Sequence, residues 1–205
     1  MPRIGVERLV VGDMGVNCYI VENQETKQCI IVDPGAQPER IIRAIGERKP
    51  AAVLLTHGHF DHIGAVDAVC GHYGIPLYMH REDAPKLTDA DANVSGLFGL
   101  PLVQHTEPVM LEGGETLSLA GIDLEVLHTP GHSRGCVCYM LPEHQGILTG
   151  DTLFAHGYGR TDFVDGDFMA LCRSLQHLLH LTPQRITYPG HDEPGIVGRN
   201  AVEGE

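Results

Sequence analysis

Nothing in the 205 residues is long and apolar enough to read as a membrane span. The opening Met1-Pro2-Arg3-Ile4-Gly5 leads into no apolar core of a secretory signal, so none is expected. Basic residues are scarce: 14 Lys and Arg against 27 Asp and Glu give a formal net charge of −13. A phosphate backbone is held by clustered Lys and Arg, so this balance argues against a nucleic-acid partner. The six cysteines, at 18, 29, 70, 136, 138 and 172, form no CxxC pair and no disulfide framework. Reduced thiols in the cytoplasm are therefore expected, with Cys136 and Cys138 packed on one face of a strand. No linker or low-complexity stretch divides the chain, which predicts one domain over residues 1–205 with a frayed polar tail at 195–205.

Histidine, by contrast, is abundant, with 13 residues. Four side chains able to bind metal fall within His57-Gly58-His59-Phe60-Asp61-His62, just after the apolar run at 51–55. Such a run reads as a buried strand, so the cluster sits where a strand leaves its sheet. Imidazole nitrogen and carboxylate oxygen suit zinc, iron and manganese without soft sulfur. Four such groups in one short loop exceed the needs of one closed tetrahedral site once distal ligands join. A catalytic centre with more than one ion is the natural reading.

Apolar alternation and short apolar runs predict strands at 6–11, 17–22, 28–32, 51–55, 76–80, 116–119, 122–127, 136–141, 146–148 and 185–188. Helical spacing predicts helices at 38–48, 63–73 and 167–180. That order suggests two sheets packed face to face with helices outside. Residues 83–107 show little periodicity, and a loop of that length is functional or mobile. A substrate-facing lid or lining is expected there, with a bland surface excursion as the alternative. Three further candidates each follow a predicted strand and a glycine: His132 in Pro130-Gly131-His132, Asp151 in Thr149-Gly150-Asp151, and His191 in Pro189-Gly190-His191. The remaining histidines default to surface or capping roles, with His156 the partial exception because it falls between Asp151 and Arg160.

Together with Val32-Asp33-Pro34-Gly35, these motifs resemble, in kind and in order, those of the metallo-β-lactamase superfamily over about residues 17–191. The resemblance implies an α+β, four-layer αββα sandwich of two mixed β-sheets with helices on the outer faces. It implies two divalent metal ions, zinc first, with iron or manganese as alternatives. His57, His59 and His132 would hold one ion, Asp61, His62 and His191 the other, and Asp151 would bridge them. Asp33 is expected behind the ligands, holding a His N–H or its own turn; an ordinary Asp-Pro-Gly turn is the alternative.

Gly150-Asp151-Thr152-Leu153-Phe154 followed by Gly159-Arg160-Thr161-Asp162-Phe163 resembles glyoxalase II, and more closely its short, single-domain bacterial relatives. This implies a metal-dependent hydrolase of a small-molecule thioester such as S-lactoylglutathione, monomeric or a small homo-oligomer. Hydroxide shared by two ions would attack the carbonyl, with Asp61 and Asp151 as the catalytic carboxylates. The helical domain that supplies most thiol contacts after the last histidine of full-length glyoxalase II is not expected here, as in the short relatives. Arg160 stands roughly where the family has a Lys that contacts the thiol's carboxylate; a salt bridge to Asp162 or Asp165 is the plain alternative. Phe60 and Tyr158, with Phe98, are expected to line the substrate pocket. An Asp at 151, where the true zinc β-lactamases often have Cys, points away from antibiotic cleavage. Two readings compete. Persulfide dioxygenases share the Gly-Arg-Thr-Asp-Phe stretch and hold one iron on two His and one Asp, and a relative could bind metal without turnover.

Overall fold

In the computed structural model, which describes residues 2–181 and 185–197 apart from the side chain of His144, the chain opens with a long hairpin. Strands β1 (Ile4–Val11) and β2 (Val16–Asn23) pair antiparallel from Ile4↔Asn23 to Val11↔Val16. β3 (Gln28–Val32) continues the antiparallel pairing, and β4 (Lys49–Leu54), β5 (Leu77–His80) and β6 (Pro108–Leu111) then add in parallel. Parallel neighbours need crossovers. Helices α1 (Pro38–Ile45), α2 (Phe60–Ile63) and α3 (Val66–Tyr73) lie in the first two of these connections.

The second sheet runs in the order β14-β13-β10-β9-β8-β7. Its strands are β7 (Thr116–Leu119), β8 (Ile122–His128), β9 (Val137–Met140), β10 (Ile147–Gly150), β13 (Ile186–Pro189) and β14 (Gly195–Ile196). A two-stranded hairpin, β11 (Leu153–Phe154) with β12 (Gly157–Tyr158), and helix α4 (Phe168–Leu181) link β10 to its parallel neighbour β13.

Strand alternation distributes the core over three interfaces. Tyr19, Val21, Ile30, Val32 and Leu54 face Ile122, Leu124, Val126, Val137 and Tyr139 between the sheets. Their neighbours Cys18, Ile20, Cys29, Ile31 and Val53 turn the other way, onto Ile41 and Ile45 of α1 and Val66 and Val69 of α3. On the far side Cys138, Ile147 and Leu153 pack against Leu171, Leu175 and Leu178 of α4. The result is the four-layer αββα sandwich of two mixed sheets. All six cysteines are free and five are buried. Among the described residues no helix is long and apolar enough to cross a membrane.

Several elements differ from expectation for local reasons. The helix predicted at 63–73 starts earlier, at Phe60, and breaks into α2 and α3. At the break Gly64 lies so close to the turn after β3 that a Cβ would sit 2.2 Å from the Gly35 carbonyl oxygen, and Ala65 N–H donates to the Pro34 carbonyl at 2.9 Å. The helix predicted at 38–48 stops at Ile45, where Gly46 turns to φ 58° and donates its N–H to the Ile42 carbonyl. Residues 195–196 are paired as β14, so the tail expected from 195 does not begin there; residues 198–205 lie outside the described residues.

The 83–107 segment carries two short 3₁₀ turns, Ala84–Leu87 and Ser95–Phe98. Side-chain hydrogen bonds fix it, from the buried Asn93 and the half-buried Asp67. The Asn93 amide donates to the carbonyls of Lys86 and Leu102, and its oxygen accepts from Ser95 N–H. Asp67 accepts from the N–H groups of His105 and Thr106. These side-chain bonds to the backbone stand in for periodicity.

Candidate metal centre

The four donor-bearing loops follow β4, β8, β10 and β13, and hydrogen bonds between the sheets hold them together. Val137 N–H donates to the Thr56 carbonyl at 2.9 Å, and Tyr139 Oη to the Leu55 carbonyl at 2.7 Å. The His191 loop is tied to β2, where Tyr19 Oη and Asn17 Nδ2 both donate to the Pro189 carbonyl. Two glycines are required by close approach. A Cβ on Gly190 would lie 2.2 Å from Asp151 Oδ1, and one on Gly150 (φ 48°) would lie 2.3 Å from Thr56 Oγ1.

Seven donors converge in overlapping sets. His57, His59 and His132 form one, with His59 Nδ1 2.9 Å from His132 Nε2. Asp61, His62 and His191 form another, with His191 Nε2 3.3 Å and His62 Nε2 3.8 Å from Asp61 Oδ2. Asp151 lies between them. Its Oδ2 is 3.6 Å from His132 Nε2 and 3.5 Å from His191 Nε2, and its Oδ1 is 3.5 Å from His62 Nε2. His57 Nε2, His62 Nε2 and Asp151 Oδ1 are buried without a hydrogen-bond partner. Each unpaired buried polar atom costs about 1–3 kcal/mol, so converging lone pairs fit a dinuclear cation site. The donors are all nitrogen and oxygen. The nearby thiols are committed elsewhere, Cys136 Sγ to Ser133 Oγ and Cys138 Sγ to Thr129 Oγ1.

The residues behind the donors set their tautomers. Asp33, at φ 50°, accepts Thr56 N–H on Oδ1 at 2.7 Å and the Thr56 hydroxyl on Oδ2 at 2.6 Å. The same Oδ2 lies 3.0 Å from His62 Nδ1. An ionised carboxylate only accepts, so Nδ1 donates to it and Nε2 is the nitrogen turned toward the other donors, able to ligate once its own proton is displaced. Thr56 has spent its hydroxyl proton on Asp33, so it accepts from His57 Nδ1–H at 3.1 Å. His132 Nδ1 donates to the Arg160 carbonyl at 2.7 Å. One carboxylate thus orients a donor in each set. Asp33→Asn is expected to weaken metal affinity roughly 10–100-fold, measured by competition with a chelator; unchanged affinity would remove Asp33 from this role.

Burial pulls His57 and His59 well below the ordinary imidazole value, helped by neighbouring imidazoles, so both are neutral near pH 7. Burial acts the same way on His62, but Asp61, Asp151 and Asp33 outweigh it and push the group up to about 10. His191 is raised in the same manner, chiefly by Asp61 and Asp151 against its burial. Burial would raise Asp61, yet His62 and His191 hold its carboxyl well below the usual range. The metal-free protein therefore holds a proton on His62 at pH 7 that a cation must displace. Calorimetric metal titration in buffers of different ionisation enthalpy is expected to report about one to two protons released at pH 7. Apparent affinity should rise with pH across neutrality; binding without proton release would contradict this.

Beside the donors lies a cavity of about 250 Å³. Phe60 lines it, packed against Phe98 with ring centroids 5.1 Å apart and the planes tilted by 42°. Arg160 also lines it, but its guanidinium is held by Asp162, at 2.5 and 2.7 Å, and lies 4.5 Å from the centre of the Phe163 ring. Asp165 instead takes Lys86, at 2.7 Å. Tyr158 falls outside the cavity, a correction to the expected lining. In the hairpin it pairs with Leu153, which faces α4, so Tyr158 turns the same way, toward Phe168, while Phe154 takes the opposite face and lines the cavity. His156 lines a separate cleft with Arg8 and Asp192. A larger depression of about 710 Å³ contains the stacked pair His80 and His128, whose Nε2 atoms already bond the Glu112 and Arg134 carbonyls. None of the converging donors reaches it.

Sequence reasoning missed Met14, Val94, Phe154 and Phe163 as lining residues. Phe154 and Phe163 lie inside the quoted motifs, whereas Met14 and Val94 carry no local signal. It also missed Asp83. This fully buried residue accepts from Gly58 N–H and Ser133 Oγ on Oδ2, and from Gly135 N–H and Lys86 Nζ on Oδ1.

Residues 11–191 match the model of the metallo-beta-lactamase superfamily. The chain is 38% identical over 188 residues to the probable metallo-hydrolase YqgX of Bacillus subtilis, covering 90% of this chain and 88% of that one. It is 34% identical over 201 residues to the hydroxyacylglutathione hydrolase GloC of Haemophilus influenzae, covering 96% and 94%. The crystal structure of the BLEG-1 B3 metallo-beta-lactamase superposes with a TM-score of 0.91 at 34% identity, covering 96% of each chain.

Proposed function

The chain belongs to the metallo-β-lactamase superfamily, and we propose that within it the protein hydrolyses the thioester of a small S-acyl thiol at two divalent ions, zinc in the first instance. The position of Asp151 carries this reading: one carboxylate lies within 3.6 Å of donors from both sets. A mononuclear iron dioxygenase needs two His, one carboxylate and open positions. The further set of Asp61, His62 and His191 favours hydrolysis. The likeness to a hydroxyacylglutathione hydrolase supports a thioester as the substrate class.

Two divalent ions held there would polarise the carbonyl and bring the pKa of a water toward neutrality. The protein's own residues do the rest. Asp33 and the Arg160 carbonyl keep protons on the outer nitrogens of His62 and His132, so the inner nitrogens are the ones that would ligate. Asp61 stays ionised between His62 and His191 and offsets cation charge. Among the described residues, the titratable side chains lining the cavity are the donors themselves and Arg160, with no spare general acid. A thiol departs as thiolate and requires none. Unpaired, buried cysteines support a reducing, cytoplasmic setting.

The test offers metal-analysed protein S-lactoylglutathione, a glutathione persulfide under oxygen monitoring, and a β-lactam, the last because of the likeness to BLEG-1. Thioester turnover without oxygen uptake is expected. Oxygen uptake on the persulfide with no thioester turnover would overturn the reading.

A further inference from the structure

Resting on that hydrolytic reading, the geometry points to an uncharged thioester with an aromatic or branched apolar arm as the substrate, selected by the wall that Phe60 and Phe98 form beside the metal centre. Six apolar side chains line the cavity: Met14, Phe60, Val94, Phe98, Phe154 and Phe163. Its volume, about 250 Å³, lies below the usual range of ~300–1,000 Å³ for a whole ligand. It therefore takes one arm of the substrate and leaves the other in the open.

Charge points the same way. S-Lactoylglutathione brings two carboxylates, which need cationic partners. Arg160 is the one Lys or Arg among the described lining residues, and its Nε and Nη2 are already spent on Asp162. The other charged groups in the lining, Asp61 and Asp151, are donors of the metal centre, so the cavity offers no further cation for a distal carboxylate, and the chain's net charge of −13 does not attract an anion.

The wall is also preformed. Val94, a β-branched residue, is held at φ 63° while its side chain lines the cavity at 3% exposure. A left-handed conformation is costly for such a residue and persists only where the surroundings impose it. Here Asn93 and Ser95 do so, Asn93 through the carbonyls of Lys86 and Leu102 and Ser95 through Leu102 N–H. Phe98 is 50% exposed at the cavity's edge, and its chain neighbours Leu97 and Leu100 stand 74% and 70% exposed beyond it. Contiguous exposed apolar groups of this kind mark binding surfaces.

The test measures kcat/KM of the metal-loaded enzyme on four thioesters: S-lactoylglutathione, the acetyl and phenylacetyl thioesters of N-acetylcysteamine, and S-phenyl thioacetate. The last two place the apolar arm on the acyl or on the thiol side and so tell which side the cavity takes. At least one of them is expected to exceed both the acetyl thioester and S-lactoylglutathione by roughly tenfold. Phe98→Ala should erase that preference, and Phe98→Leu should keep most of it. Preference for S-lactoylglutathione, or a preference for the aromatic arm unchanged in Phe98→Ala, would overturn this inference alone. No turnover of any of the four would overturn the hydrolase reading as well.

Discussion

Asp151→Asn is expected to lower kcat by more than about 100-fold and to reduce the metal held from two ions per chain toward one. The lower bound follows from comparison, since partners that merely orient ligands cost about 10–100-fold when changed. Asp151 touches both donor sets directly, with Oδ2 3.6 Å from His132 Nε2 and Oδ1 3.5 Å from His62 Nε2. An amide keeps the shape but replaces one oxygen with an N–H donor that cannot ligate. It also removes one of the two carboxylates in the cluster, leaving Asp61 alone to offset cation charge. Metal analysis of the purified variant beside steady-state kinetics checks both effects. Two ions per chain with near-parental kcat would show that Asp151 does not bridge.

The second large effect is on stability. Asp83→Ala is expected to cost about 3–5 kcal/mol, because it removes one partner of a buried ion pair and strands several donors. Lys86 is 5% exposed and would keep only Asp165, while Gly58 N–H, Ser133 Oγ and Gly135 N–H would lose their acceptor. At roughly 2–4 °C per kcal/mol for a domain of this size, the melting temperature should fall by about 6–20 °C. Gly58 lies between two metal donors and Ser133 follows a third, so metal affinity should fall as well. Thermal unfolding of the metal-free variant separates the structural effect from the loss of metal. A shift below about 2 °C there would mean the network contributes little to the fold.

How much of this was legible in the sequence depended on distance along the chain. Four donors lie within one loop, and His132, Asp151 and His191 each carry a glycine and a preceding strand, so local pattern was enough to find them. Asp33 was equally consistent with a plain Asp-Pro-Gly turn; only its approach to Thr56 and His62 distinguishes the two. The Asp83 network was invisible because its acceptor is 25, 50 and 52 residues from Gly58, Ser133 and Gly135, with no periodicity joining them. Tyr158 missed the cavity because the short hairpin at 153–158 carried no sequence signal, and its pairing with Leu153 turns Tyr158 toward α4. Phe154 holds the place expected for it.

The helix predicted at 63–73 failed for a tertiary reason. Helical spacing continues through Gly64, and the helix is interrupted where Ala65 N–H turns to the Pro34 carbonyl. The layered architecture was more accessible. Residues that alternate along β2, β3 and β4 are apolar on both faces, which strands exposed on one side do not require.

The central claim is a two-ion centre that hydrolyses thioesters, and titration of the metal-free protein with zinc tests it most directly. Binding followed by calorimetry, beside thioester turnover at each addition, should saturate at two equivalents, with full activity reached only as the second ion binds. Saturation at one equivalent with activity already complete would contradict it.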